Sequence, residues 1–340
     1  MIIIMQTQAL SEQVQAVEDE IQRLGLKPFI NPGVERKVIA VLGALDAKKA
    51  DLVEHFYSFP GVERVELISH LWKLASRGYH PEDTIIDIAG VKVGGNRVVI
   101  VAGPCSVESE AQTIEIAHAV KESGAQLLRG GAFKPRTSPY AFQGLGEEGL
   151  KILAKARKET GLPVVTEVMD THDVDLVAKY ADVLQIGARN MQNYSLLKRV
   201  GATKHPVLLK RGPGCKLSDL LMSAEYIIAE GNQNVILCER GITTFEDSTR
   251  NTTDINAIPV LKQWTHLPVM LDPSHATGNW KYVGAVAKAG IAAGADGILI
   301  EVHNDPQHAL SDGPQSLRPE HFEELMAQLR RVAEAVDRMV

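Results

Sequence analysis

The chain has 340 residues, 45% hydrophobic and 23% charged, with a formal net charge of -6. This balance fits a globular protein of one large and one small domain, and it argues against a nucleic-acid or anionic-membrane partner. Three cysteines, no apolar run near the roughly 20 residues of a membrane span, and no basic leader before Met1-Ile-Ile-Ile-Met5 point to the cytoplasm.

The first 70 residues have their own rhythm. Ile2–Met5 reads as a strand. Ser11–Leu24 reads as a helix with Val14, Val17, Ile21 and Leu24 on one face, Ser11 as its cap and Gly25 as its stop. Lys27–Ile30 and Lys37–Leu42 read as strands separated by Asn31-Pro-Gly33, Lys48–Phe56 as a second helix, and Val62–Ile68 as a closing strand. The order βαββαβ predicts a small ferredoxin-like domain over residues 1–70. Residues 71–96 read as a linker and entry hairpin, in which Gly94-Gly95 marks a turn between Val91–Val93 and Arg97–Val101.

From residue 97 to 340, strand and helix signals alternate. Short apolar runs occur at 98–101, 125–128, 163–166, 182–186, 206–209, 234–237, 268–271 and 297–300, as expected of parallel strands covered on both faces. Amphipathic stretches separate them, among them 108–122, 147–160, 217–230 and 283–293, and a last helix is expected over 320–340. Eight such units predict a (β/α)8 TIM barrel, with a doubly wound open sheet as the competing architecture. No Gly-x-Gly-x-x-Gly fingerprint supports that competitor.

Barrel chemistry collects at the C-terminal ends of the strands. Cys105, Arg129, Glu167, Arg189, Lys210, Glu239, Arg240, His275 and Glu301 all follow a predicted strand closely. Charges buried there are costly unless they face a polar ligand. The loop Arg129-Gly-Gly-Ala-Phe-Lys134-Pro-Arg136-Thr137-Ser-Pro139 crowds three cations and two hydroxyls onto a Gly/Pro frame, which suits a phosphorylated ligand. With Arg189, Lys210 and Arg240 it implies several negative charges to neutralise, and no Walker loop points to a nucleotide. Cys105, His275, Glu301 and Asp312 form a mixed donor set suited to a divalent cation with an open position. Taken singly, each of the four has a duller role as core filler, satisfied histidine or turn residue.

Gly103-Pro-Cys-Ser106, Lys134-Pro-Arg-Thr-Ser138, Gly187-Ala-Arg189, Leu209-Lys-Arg211, Glu239-Arg-Gly241, Asp272-Pro-Ser-His275 and Ser311-Asp-Gly313 together resemble the 3-deoxy-D-arabino-heptulosonate 7-phosphate (DAHP) synthase family. The N-terminal unit resembles the ACT-like regulatory domain of one branch of it. Pro213-Gly-Cys215 departs from the family pattern. The resemblance implies a transferase opening the shikimate pathway, condensing phosphoenolpyruvate with erythrose 4-phosphate and water. By the same resemblance Cys105, His275, Glu301 and Asp312 hold a divalent metal, Mn2+ foremost, with Zn2+, Fe2+, Co2+ or Cd2+ also compatible. Arg129, Lys134 and Lys210 hold the phosphoenolpyruvate carboxylate side, and Arg189 and Arg240 its phosphate. Pro135, Arg136 and Thr137 take erythrose 4-phosphate, while Lys134, Glu167 and His275 are the catalytic set, with Glu167 positioning water. Tyrosine or phenylalanine is the expected effector and a homotetramer the expected assembly. The alternatives are a 3-deoxy-D-manno-octulosonate 8-phosphate synthase and a non-catalytic amino-acid sensor built on a barrel scaffold.

Overall fold

The computed structural model describes residues 1–31, 37–43, 49–67 and 71–340. The Pro32-Gly33 turn, Lys48 at the expected start of the second helix and Ile68 at the expected end of the fourth strand lie outside the described residues. The chain forms two compact units, Met1–Glu82 with Trp264–His266, and Asp83–Gln263 with Leu267–Val340.

In the first unit, β1 (Ile2–Met5), α1 (Ser11–Arg23), β2 (Lys27–Asn31), β3 (Val38–Leu42), α2 (Lys49–Tyr57) and β4 (Val62–Glu66) follow the expected order. The strands pair antiparallel in the order β2-β3-β1-β4, the ferredoxin-like arrangement. Alternate residues of β1 and β3 (Ile3, Met5, Ile39 and Val41) pack on Val14, Val17 and Ile21 of α1 and Phe56 of α2. The period-2 and period-3.6 patterns thus meet in one core. Helix α1 begins one residue away from the expected cap: Leu10 is the N-cap, and the Gln13 side chain accepts from its N–H. Gly25, at φ 73°, ends the helix as expected.

The second unit begins with a hairpin of β5 (Ile86–Ile88) and β6 (Val91–Val93). The sequence reading misplaced this turn. β6 pairs with β5 around Ala89-Gly90, not with the strand beyond Gly94-Gly95. Ala89 and Gly90 have φ of 48° and 93°, the positive pair that a two-residue hairpin turn requires. Ile86, Ile88 and Val93 join the inward residues Val99, Val101, Leu127, Val165 and Leu299 in one cluster. The hairpin therefore fills the end of the barrel opposite the expected site.

The barrel consists of β7 (Val99–Gly103), β8 (Leu127–Arg129), β9 (Val164–Glu167), β10 (Val183–Ile186), β11 (Val207–Lys210), β12 (Val235–Glu239), β13 (Val269–Leu271) and β14 (Gly297–Glu301), all parallel and closed by β14 on β7. Around it lie α3 (Glu110–Ser123), α4 (Glu147–Thr160), α5 (Val174–Tyr180), α6 (Tyr194–Gly201), α7 (Leu217–Ala229), α8 (Ala257–Trp264), α9 (Pro273–Thr277), α10 (Trp280–Ala292) and α11 (Pro319–Ala335). The last helix stops short of the expected Val340. Asp337 takes φ 57°, and Met339 then pairs with Arg97. Arg338 donates to the carbonyls of Gly95 and Ala295, tying the tail to the barrel entrance.

A non-glycine residue at φ 48° carries strain of about 1 kcal/mol that asparagine tolerates better. We expect Ala89→Asn to raise the chemical-denaturation midpoint by the equivalent of about 0.5–1 kcal/mol. A lowered midpoint would show that the turn is held by contacts to the alanine methyl.

Candidate active site

The ladder itself fixes the charged strand ends. Arg129 is the last residue of β8 and stands opposite Val165, Glu167 opposite Gln185, Lys210 opposite Cys238, and Glu301 opposite Gly103. These residues converge on a cavity of about 400 Å³ lined by Arg129, Lys134, Arg136, Arg189, Lys210, Arg240 and Arg250. Pro135, Thr137, Glu167, His275 and Asp312 complete the relevant part of its wall. All six cations expected from the sequence are there. Arg250, on the loop between β12 and α8, is a seventh that sequence reasoning missed.

At one end stand the four metal-donor candidates. Cys105 Sγ donates to Asp312 Oδ2 at 3.2 Å, and donor atoms of Cys105, Glu301 and Asp312 lie within 4.8 Å of one another. His275 Nε2 faces Glu301 Oε1 at 3.4 Å, so the fourth residue adjoins the cluster. A thiol, an imidazole and two carboxylates, one of them half-exposed to the cavity, fit a mixed divalent site. Burial and the Glu301 charge push the Cys105 thiol up to about 11, against the pull of Lys134 and Arg129. Asp312 goes the other way. Burial raises its carboxyl, but His275, Arg250, the Cys105 hydrogen bond and Lys134 together hold it at about 2. Its backbone sits at φ 50°, a left-handed conformation that the loop must enforce.

His275 is oriented from behind by Asp272. The Asp272 Oδ1 accepts the His275 backbone N–H at 2.9 Å, capping α9. Its Oδ2 lies 2.7 Å from His275 Nδ1, though off the hydrogen-bond line, and accepts from Lys210 Nζ at 2.5 Å. Burial disfavours the charge on Asp272, yet His275 and Lys210 hold its carboxyl well below the usual range. Carboxylate support of this kind fixes the ring of a metal-ligating histidine.

The cations differ in what already holds them. Arg129 donates to Glu301 at 2.5 Å, and Lys134 Nζ reaches the Cys105 carbonyl at 3.1 Å and its Sγ at 3.0 Å. Arg136 donates to Ser311 Oγ. The exposed Arg189 donates to the Pro135 carbonyl and Thr137 Oγ1, bracing the Lys134–Ser138 loop. Arg240 is buried, yet its guanidinium has no hydrogen-bond or ion-pair partner among the described residues. Burial and the neighbouring Arg250 lower its pKa, against the field of Asp272. Such a cation is chemically suited to an anionic partner. Glu167 accepts from Gln185 at 3.2 Å. A Cβ on Gly187 would come 2.0 Å from the Glu167 carboxylate, so only glycine admits it here.

Arg211, His303 and Cys238 stay outside the cavity wall. Arg211, next to Lys210, turns to Glu239 and Asp254, both at 2.8 Å. The departing Pro213–Cys215 stretch braces it, since the Cys215 carbonyl accepts from Arg211 Nε. His303 packs with Gln112 and Glu108. Cys238 belongs to the barrel core.

Residues 83–338 match the DAHP synthetase I family, and residues 1–70 match the DAHP synthase ferredoxin-like domain. The chain belongs to the DAHP synthase family. It is 46% identical over 336 residues, 99% of its own length and 98% of the relative's, to the phospho-2-dehydro-3-deoxyheptonate aldolase of Thermotoga maritima. The crystal structure of the DAHP synthase from that organism superposes with a TM-score of 0.80, covering 100% of this chain and 98% of that one. A 2-dehydro-3-deoxyphosphooctonate aldolase of Syntrophobacter fumaroxidans is 34% identical over 72% of this chain and 90% of its own length. Membership makes this family member a DAHP synthase enzyme, and the sensor alternative falls.

The Arg211–Glu239 pair is fully enclosed, so removing one partner strands a buried charge. We expect Arg211→Met to cost about 3–5 kcal/mol in urea unfolding. Adding Glu239→Gln to that variant should recover part of the loss. Equal stability of wild type and Arg211→Met would contradict a structural role for this pair.

Proposed function

We propose that the chain condenses phosphoenolpyruvate with erythrose 4-phosphate and water, releasing phosphate and DAHP, the entry step of the shikimate pathway. The observation that carries this reading is a single cavity with seven cations on its wall, beside which the Cys105–Glu301–Asp312 donor cluster adjoins His275. Two phosphorylated substrates need that much positive charge to sit side by side. Cys105, His275, Glu301 and Asp312 hold the divalent ion, Mn2+ foremost. When bound, that ion supplies Lewis acidity toward the aldehyde oxygen.

The chain's own residues do the rest. Arg129, Lys134 and Lys210 take the carboxylate side of phosphoenolpyruvate. The first and last are already pinned by Glu301 and Asp272, so they meet the substrate without rearrangement. Lys134 spends two N–H groups on Cys105 and keeps a third for the substrate. Arg189 and the unpartnered Arg240 take the phosphate, and Pro135, Arg136 and Thr137 the erythrose phosphate. Glu167, held by Gln185, orients the attacking water and receives its proton. Relatives named 2-dehydro-3-deoxyphosphooctonate aldolase supply the competing reading, with arabinose 5-phosphate as the aldehyde. The N-terminal unit we assign to feedback inhibition by tyrosine or phenylalanine, in a cytoplasmic homotetramer.

Phosphoenolpyruvate consumption decides the substrate. We expect turnover with erythrose 4-phosphate, abolished by chelator and restored by Mn2+, and none with arabinose 5-phosphate. The reverse preference would transfer the reading to the octulosonate reaction. Glu167→Gln should lower kcat about 10²–10⁴-fold, and an unchanged rate would remove it from the chemistry. Tyrosine or phenylalanine should depress the rate and shift the thermal midpoint. If neither does, the N-terminal unit has another task. Light scattering should give about four times 37.0 kDa, and a smaller mass would refute the tetramer.

A further inference from the structure

Arg250 is the cavity cation that no strand end announced, and its contacts run away from the anion-binding cluster. Its NH1 donates to Asp312 Oδ1 at 3.1 Å and to Gln315 Oε1 at 2.9 Å. Gln315 is buried, and its Nε2 donates in turn to Glu301 Oε2 at 2.6 Å. With a guanidinium on one side and a carboxylate on the other, only one orientation of the Gln315 amide satisfies both. Arg250 therefore grips one carboxylate directly and the other through a single intervening amide.

The loop that carries Arg250 is itself fastened to the helix that carries His275. The Arg250 backbone N–H donates to the Thr277 carbonyl, Asn251 N–H to the Ala276 carbonyl, and Asn251 Nδ2 to the His275 carbonyl. A Cβ on Gly278 would come 2.5 Å from the Arg250 Cβ, so the two segments are in close contact. Asp312 needs such a hold because its left-handed backbone is costly for a non-glycine residue.

We propose that Arg250 is a positioning residue for the divalent-ion site: holding Asp312 directly and Glu301 through Gln315, it sets the separation of the two carboxylates and so the affinity for the ion. The inference rests on the metal reading given above, and one titration separates the two. Metal-free protein is titrated with Mn2+ alone, reading bound ion by electron paramagnetic resonance. The set is wild type, Arg250→Ala, Arg250→Lys, Gln315→Met and the Arg250→Ala/Gln315→Met double variant.

Wild type should bind one Mn2+ per chain at the four-donor site. Arg250→Ala should weaken binding about 10–100-fold, the usual effect of losing a group that orients metal ligands. Arg250→Lys should restore little, because an ammonium lacks the planar fork that reaches two acceptors. The double variant should bind little worse than the weaker single one, since both act along one chain of bonds. Arg250 is half-exposed, so its variants should keep the wild-type thermal midpoint and circular dichroism. Wild-type affinity in Arg250→Ala, with a raised KM for erythrose 4-phosphate, would overturn the proposal and make Arg250 a substrate contact. Failure of wild type itself to bind Mn2+ would overturn the metal reading and this inference with it.

Discussion

The site depends on charge compensation at the C-terminal rim of the barrel. Gathering seven cations around one cavity is unfavourable by mutual repulsion and by lost hydration. The rim offsets this with carboxylates set at strand ends. Glu301 meets Arg129 and Asp272 meets Lys210, while Glu239 meets Arg211 outside the cavity wall, each carboxylate fully buried. These pairs bridge different strands, so the electrostatics and the closure of the barrel constrain one another. The same carboxylates then serve twice, because Glu301 also faces His275 and Asp272 also orients it. What is left uncompensated, Arg240 above all, is free to meet an anionic ligand.

The two ends of the barrel divide the work. At the N-terminal end, apolar side chains of the β5–β6 hairpin continue the core layers, and the buried Asp296 is met by Lys262 and Arg338. At the C-terminal end the last residue of a strand is repeatedly polar while the residues before it are apolar, as in Val207–Lys210 and Gly297–Glu301. A short strand can thus be core for most of its length and chemistry at its tip.

Much of this was legible in the sequence, for physical reasons. Buried parallel strands read as apolar runs, and the ferredoxin-like order follows from the switch between periods of 2 and 3.6. The expected runs ending at Leu128, Thr166, Leu209 and Ile300 stop one residue early because charge marks an end, whereas Arg129, Glu167, Lys210 and Glu301 still pair in the ladder. The hairpin turn was misassigned because Gly94-Gly95 is the louder signal, although Ala89-Gly90 has the required backbone. Val336–Val340 is apolar enough to extend a helix on paper, yet it leaves the helix to reach Arg97. Arg250 was unreadable. It sits mid-loop in Ser248-Thr-Arg-Asn251, far from any strand end, and only the fold brings it to Asp312 and Gln315. Arg211 and Arg240 show the converse: adjacent to other charges in sequence, they look alike, and the backbone alone decides which faces the cavity.

The pairing of β14 with β7 also has a consequence for synthesis. The strand that opens the barrel finds its second neighbour only when Glu301 has been made, roughly 200 residues later, and the clasp of Arg338 on Gly95 waits longer still. At about 5–20 residues per second the first strand spends some tens of seconds with one edge bare as the chain emerges from the ribosome. The ferredoxin-like sheet has no such wait, since its four strands lie within the first 66 residues. During translation all four of its strands thus emerge before the first barrel strand, whose second edge stays bare until β14 is made.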